Sequence, residues 1–175
     1  NETIALLEEL TQQNAIILQH RSEYLDEPGF LSKWSNSHRW VHIDGEHTGM
    51  AVMNDLYIAD KLLSSDGIVC IDDFMSPAYP QVTMAAFRFL DRYRERLVLF
   101  LCGFNKGYLC RPYTARKIRQ YISTDFRQNL NDRGLQEFTL WRSTLPDDIN
   151  AFGITPNNLN TNFRGPDWAP DQLII

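Results

Sequence analysis

Apolar positions along this chain fall into short continuous runs that alternate with stretches of helical spacing, and that alternation is the first guide to its fold. Thr3 to Leu10 carries Ile4, Leu7 and Leu10 near a helical repeat and reads as the end of a helix, and Asn14 to His20 reads as a buried strand. Ser22 to Lys33 reads as a loop with a short helix broken at Pro28-Gly29, and Arg39 to Asp44 as a second strand. Val52, Leu56, Ala59 and Leu63 then recur every three or four residues, which predicts a crossover helix over 50–63. Gly67 to Asp72 follows as a third strand, and Val82 to Arg94 as a helix with Phe87, Leu90 and Tyr93 on one side.

Strands that alternate with helices predict a parallel α/β sheet. The pattern changes after Arg94: Leu97 to Cys102 and Gly107 to Cys110 flank a short Gly/Asn turn, which predicts an antiparallel hairpin at one edge of the sheet. Ile118, Ile122 and Leu130 mark a further helix, and Phe138 to Trp141 a last strand. From Pro146 onward Pro, Asn, Asp and Gly dominate, so residues 146–175 read as an irregular tail held down by Phe152, Phe163 and Trp168, packed on an α/β unit of residues 1–145. The sequence shows no internal repeat.

Composition narrows the class. A chain of 175 residues is one domain in length, and 43% hydrophobic with 22% charged residues is enough apolar material for a core. Seventeen basic against 22 acidic residues give a net charge of −5, which argues against a general attraction to nucleic acid or an anionic membrane. Basic residues do gather between Arg88 and Arg119, where solvated helix faces are the commoner explanation. The longest apolar runs are far short of the ~20 residues that span a bilayer. Cys70, Cys102 and Cys110 are odd in number and lack CxxC spacing, which fits a reducing, cytoplasmic setting. The first residues, Asn-Glu-Thr, carry neither an initiator Met nor a signal pattern, so the expectation is that sequence upstream has been removed.

The chemistry gathers where strands end. Asp44 closes one strand in His42-Ile-Asp-Gly-Glu-His47, and Asp72-Asp73 closes the next. A helix crossing between them makes the two strands parallel and puts their carboxyl ends on one edge, where open α/β sheets bind ligands. Strands lie ~4.8 Å apart, so such termini can set carboxylates around one small cation. Crowded carboxylates repel one another, and a hard divalent ion such as Mg²⁺, Ca²⁺ or Mn²⁺ relieves that repulsion. The plainer alternative is that Asp44 and Asp72 only cap the helices that follow; it explains either residue singly better than it explains the matched ends.

The stretch Val41 to His47, the helix with Asn54-Asp55-Leu56, and Gly67 to Phe74 together resemble the second half of a class I S-adenosylmethionine-dependent methyltransferase. They are most similar to the metal-dependent O-methyltransferases, over about Ile16 to Cys110. The resemblance implies a Rossmann-like, mostly parallel sheet with helices on both faces, lacking its first two strands. It implies S-adenosylmethionine as cofactor, with Asp44, Asp72 and Asp73 holding Mg²⁺ or a similar divalent cation and His47 or Glu46 as general base. The segment Leu18 to Ser22 resembles the loop bordering the cofactor's adenine, which makes Arg21 and Ser22, with Asp44, the expected cofactor contacts. His20 stands where glycine is more usual, and Gly49 where an aromatic is common. The glycine-rich turn of such enzymes has no counterpart before Ala15.

The expected reaction is methyl transfer to a hydroxyl of a small-molecule acceptor. Between the two bases, His47 comes first, because an ordinary histidine titrates nearer neutral pH than a glutamate. Two other functions fit the same acidic edge: a non-catalytic methyltransferase-like remnant or binding domain, and another carboxylate–metal enzyme such as a phosphate-releasing hydrolase. The acceptor and the oligomeric state, including a homo-oligomer, are left open by the sequence.

Overall fold

The structure, a computed structural model, describes residues 20–25, 28–142 and 151–157. The expected helix over Thr3–Leu10, the strand before His20, and the anchors Phe163 and Trp168 lie outside those residues. A 3₁₀ turn, Ser22–Tyr24, opens the described chain and is followed by α1 (Pro28–Trp34). Pro28-Gly29 starts this helix rather than breaking one, since a proline in the first turn has no helical hydrogen bond to lose. Then come β1 (His38–Ile43), α2 (Gly49–Leu62), β2 (Leu63–Ile71), α3 (Pro80–Arg92), β3 (Val98–Gly103) and β4 (Lys106–Cys110). Helices α4 (Pro112–Thr124) and α5 (Phe126–Asp132) follow, divided at Asp125 where one helix had been expected. Strands β5 (Phe138–Arg142) and β6 (Phe152–Pro156) are the last elements of the described residues.

The six strands lie in the order β1-β2-β4-β3-β6-β5. The pairs β1·β2 and β3·β6 are parallel and the other three antiparallel, so β1, β2, β3 and β6 point one way while β4 and β5 run against them. This is the Rossmann-like, mostly parallel α/β arrangement that the sequence implies. The hairpin β3–β4, expected at an edge, instead sits inside the sheet, between β2 and β6. Its apolar strands explain the placement: Leu99, Phe100, Leu109 and Cys110 are buried, and a strand covered on both faces belongs inside. Phe152–Pro156 also departs from the irregular tail expected there; it pairs with β3 on one side and β5 on the other, with Phe152 and Ile154 buried.

Alternation along the strands feeds two cores. On one face Val69, Ile71, Leu99 and Leu109 pack under Val52, Leu56 and Ala59 of α2 and Val82, Ala86 and Phe89 of α3. On the other, Phe100, Cys110, Phe138 and Phe152 pack with Ala115 and Ile122 of α4. Helices thus cover both faces. Trp40 and Trp141 are exposed. Trp141 stands on the edge strand β5 and donates its indole N–H to Thr155 Oγ1 at 2.8 Å.

Helix α2 begins at Thr48, whose extended backbone and side-chain hydroxyl, accepting from Ala51 N at 3.3 Å, make it an N-cap. It ends without a loop, because Leu63 turns extended directly after Leu62 and starts β2. A buried clamp fixes this junction. Asp60, only 1% exposed, pairs with Arg111 and Arg96 at 2.5 Å each, while Arg111 Nη2 also donates to Asp60 O and Leu63 O at 2.7 and 3.0 Å. The Arg111 guanidinium answers both of the junction's spare carbonyls and one carboxylate oxygen, which suits the planar fork of arginine, while Arg96 takes the other oxygen.

Candidate active site at the strand ends

Parallel pairing brings the predicted residues to one edge. Ile43 and Ile71 end β1 and β2 side by side, and the backbone N–H of Asp72 donates to Ile43 O at 2.9 Å. Asp44 and Asp72 therefore leave the sheet at the same level. Asp73 follows in the left-handed region (φ 53°), as does Met75 (φ 66°), so the chain turns sharply enough to drop the Asp73 side chain inward to 7% exposure. Left-handed non-glycine residues cost of order 1–3 kcal/mol each and gather at functional sites.

Asp73 is held from two sides. His47 Nε2 lies 2.7 Å from its Oδ2, and Asn105 Nδ2 donates to its Oδ1 at 2.7 Å. The His47 ring in turn stacks on Tyr79, with centroids 4.1 Å apart and planes 18° from parallel. Asp44, His47 and Asp73 each offer a ligand atom within 4.8 Å of the others, the one such metal-capable group among the described residues. Asp72 stands apart from that group. Its Oδ1 accepts from Lys106 Nζ at 2.6 Å and from the backbone of Asp73 at 2.8 Å, and its Oδ2 lies 3.9 Å from His42 Nε2. Burial alone would pull the Lys106 ammonium down, but the hydrogen bond and charge of Asp72 outweigh it and hold its pKa above the ordinary lysine value.

Asn105 and Lys106 were not among the expected site residues. They reach the edge because the β3–β4 turn, with Phe104 and Asn105 both left-handed, stands beside the end of β2, where Gly107 pairs with Ile71. Gly103 permits the approach of β6 behind that turn, since a Cβ there would lie 1.9 Å from Ile154 O. A sequence signal did exist, in a hairpin whose turn carries Asn and Lys. With the hairpin assigned to an edge, nothing connected it to Asp72 and Asp73.

Glu46 is exposed, as is Asp44. Arg21 is exposed and pairs with Glu23 at 2.9 Å. Ser22 accepts weakly from Asn54 Nδ2 at 3.5 Å, which sets it against α2 rather than against the Asp44–His47–Asp73 group. The neighbour that links these places is Asp55. Its Oδ1 is buried without a hydrogen-bond partner, and a Cβ on Gly45 would come within 2.9 Å of its Oδ2. Burial raises its pKa, the Ser22 hydroxyl opposes that, and the charges of Glu23 and Glu46 raise it further. A raised carboxyl pKa means the folded chain holds the proton more readily than the unfolded one. Stability therefore falls as pH climbs from about 4 through the folded-state value, and stays lower above it. Asp55→Asn is expected to melt higher than the parent at pH 7, with the gap closing toward pH 4; thermal melts across that range check it, and a lower melting point at pH 7 would contradict it.

The donor set fits a divalent cation, since two carboxylates and an imidazole are ordinary ligands for one. An imidazole among them suits Mn²⁺ or Zn²⁺ better than Mg²⁺ or Ca²⁺. Cys70, Cys102 and Cys110 are free thiols on β2, β3 and β4; burial pushes Cys70 up to about 11 and Cys110 to about 12.

The fold and its acidic strand ends define an α/β protein of Rossmann-like type. A family model described as a methyltransferase domain matches residues 3–74, under half of the chain and ending just past Asp72 and Asp73. No curated protein and no solved structure matches the chain. Among the described residues no helix is long and apolar enough to cross a membrane.

Proposed function

We propose that this chain takes part in methyl transfer from S-adenosylmethionine to a hydroxyl of a small-molecule acceptor, with His47 as the base. The observation that carries the reading is the His47–Asp73 contact at the strand ends, within the stretch a methyltransferase-domain model matches. In the transfer the sulfur–methyl bond breaks as the oxygen–methyl bond forms, the hydroxyl proton passes to the base, and S-adenosylhomocysteine leaves. Asp73 accepting from His47 Nε2–H leaves the Nδ1 lone pair to take that proton, and a carboxylate in this position both orients the ring and stabilises the imidazolium. Asn105 fixes the carboxylate and Tyr79 the ring plane, so the pair is held before substrate arrives.

Asp44 and Asp73 are the carboxylates best placed to hold a divalent cation, with Asp72 the third that the resemblance implies. Such a cation would orient the acceptor hydroxyl and make it more acidic. Glu46 is the alternative base. Arg21 and Ser22, near α2, are offered as the adenine side of the cofactor site. The reading treats residues 1–145 as the later part of a methyltransferase-like domain, in a cytoplasmic protein.

The test is direct: S-adenosylmethionine binding by calorimetry, then transfer of a labelled methyl group to a panel of phenols and sugars with Mn²⁺ or Mg²⁺ present. The chain lacks a glycine turn before Ala15, so binding by these residues alone is expected to be weak and to tighten when a glycine-rich segment precedes them. Retention of label in the cofactor under every condition would overturn transfer and favour the binding-domain reading.

A further inference from the structure

We propose that Lys106 is the resident counter-cation of Asp72, and that it takes Asp72 out of the divalent-cation site and leaves that site to Asp44 and Asp73 with His47 beside them. The inference rests on the cation reading above and departs from the ligand set the resemblance implies. Three carboxylates meet at this edge, yet they do not share one environment. Asp72 Oδ1 already accepts two hydrogen bonds, from Lys106 Nζ at 2.6 Å and from the Asp73 backbone at 2.8 Å. Two donors occupy the two lone pairs a carboxylate oxygen presents, so coordination through Oδ1 would have to displace one of them. Its other oxygen faces His42.

Charge balance gives the same division. One ammonium answers Asp72, so that carboxylate already has a counter-charge before any divalent ion arrives. A divalent ion pulled onto Asp72 would sit against the Lys106 ammonium, and like charges that close repel strongly away from bulk water. Lys106 is fixed where it is by the fold rather than by chance. It is the first residue of β4, one step before Gly107 pairs with Ile71, so the interior position of the hairpin delivers a cation to the end of β2. The side chain is about two-thirds buried, which limits its escape to solvent.

The experiment measures Mn²⁺ affinity of the whole chain by calorimetry and by the loss of free-ion signal in electron paramagnetic resonance. Six proteins are compared: the parent, Asp44→Asn, Asp72→Asn, Lys106→Gln, Lys106→Arg, and the double variant Lys106→Gln/Asp72→Asn. Circular dichroism and melting confirm that each is folded. The parent is expected to bind Mn²⁺, Asp44→Asn to lose about tenfold or more, and Asp72→Asn to stay within about twofold of the parent. Lys106→Gln releases Asp72 to the ion and is expected to bind about tenfold tighter, the size of effect one supporting group has at a metal site. The double variant should return to the parent's affinity. Lys106→Arg keeps the positive charge and should also match the parent. If Asp72→Asn weakens binding as much as Asp44→Asn, or if Lys106→Gln binds no tighter, the inference is overturned while the cation site stands. If none of the proteins binds Mn²⁺, the cation reading itself falls, and the inference with it.

Discussion

Asp60→Ala is expected to destabilise the fold by about 3–5 kcal/mol, the cost of leaving buried charge without its partner. The carboxylate is 1% exposed and answers both Arg96 and Arg111, so its removal strands two guanidinium groups at the point where α2 becomes β2. Arg111 would keep its bonds to the carbonyls of Asp60 and Leu63 but lose the charge that balances it. Urea denaturation of the parent and the variant measures the difference. The double variant Asp60→Leu/Arg111→Met should recover much of the loss, because apolar groups of similar volume often replace a buried pair at little cost. A single-variant loss below about 1 kcal/mol would place the clamp among surface pairs of small worth.

His47→Ala is expected to lower methyl transfer by about 10²-fold or more, on whichever phenol or sugar the acceptor panel returns, with Mn²⁺ and S-adenosylmethionine affinity unchanged. General-base catalysis supplies at least that factor, and the Asp73 contact would give the histidine its orientation. Glu46→Gln, on an exposed side chain, should leave the rate near the parent's. If His47→Ala loses Mn²⁺ binding in step with turnover, the ring serves as a ligand and the base passes to Glu46. Near-normal rates in both variants would remove both residues from proton transfer.

Local pattern carried most of what positions this site. The apolar spacing of Val52, Leu56 and Ala59 marks α2, and a helix between two short apolar runs requires parallel strands with their carboxyl ends together. Asp44, Asp72 and Asp73 could therefore be placed on one edge from sequence. What escaped was non-local. The partner of a strand is set by packing across the sheet, so nothing in Lys106 to Cys110 announces that β4 lies against β2 rather than at a rim. With that pairing unseen, Lys106 read as one more surface charge and Asp72 as a ligand equal to its neighbours. Phe152–Pro156 was hidden for another reason: its Gly and Pro suppress the strand signal, and only burial of Phe152 and Ile154 between β3 and β5 compensates.

The two buried thiols give the middle of the sheet a chemical clock. Only the thiolate reacts with an alkylating reagent, and a thiol held near 11 leaves about one molecule in ten thousand ionised at pH 7. Cys70 and Cys110 sit on β2 and β4, the strands whose contact brings Lys106 to Asp72. They become modifiable chiefly when those strands separate, so the rate at which label accumulates under native conditions reports how often the two strands part. Cys70 stands two residues from Asp72 and Cys110 at the end of β4 away from Lys106, so the two labelling rates compare fraying at the site with opening at the other end of the strands.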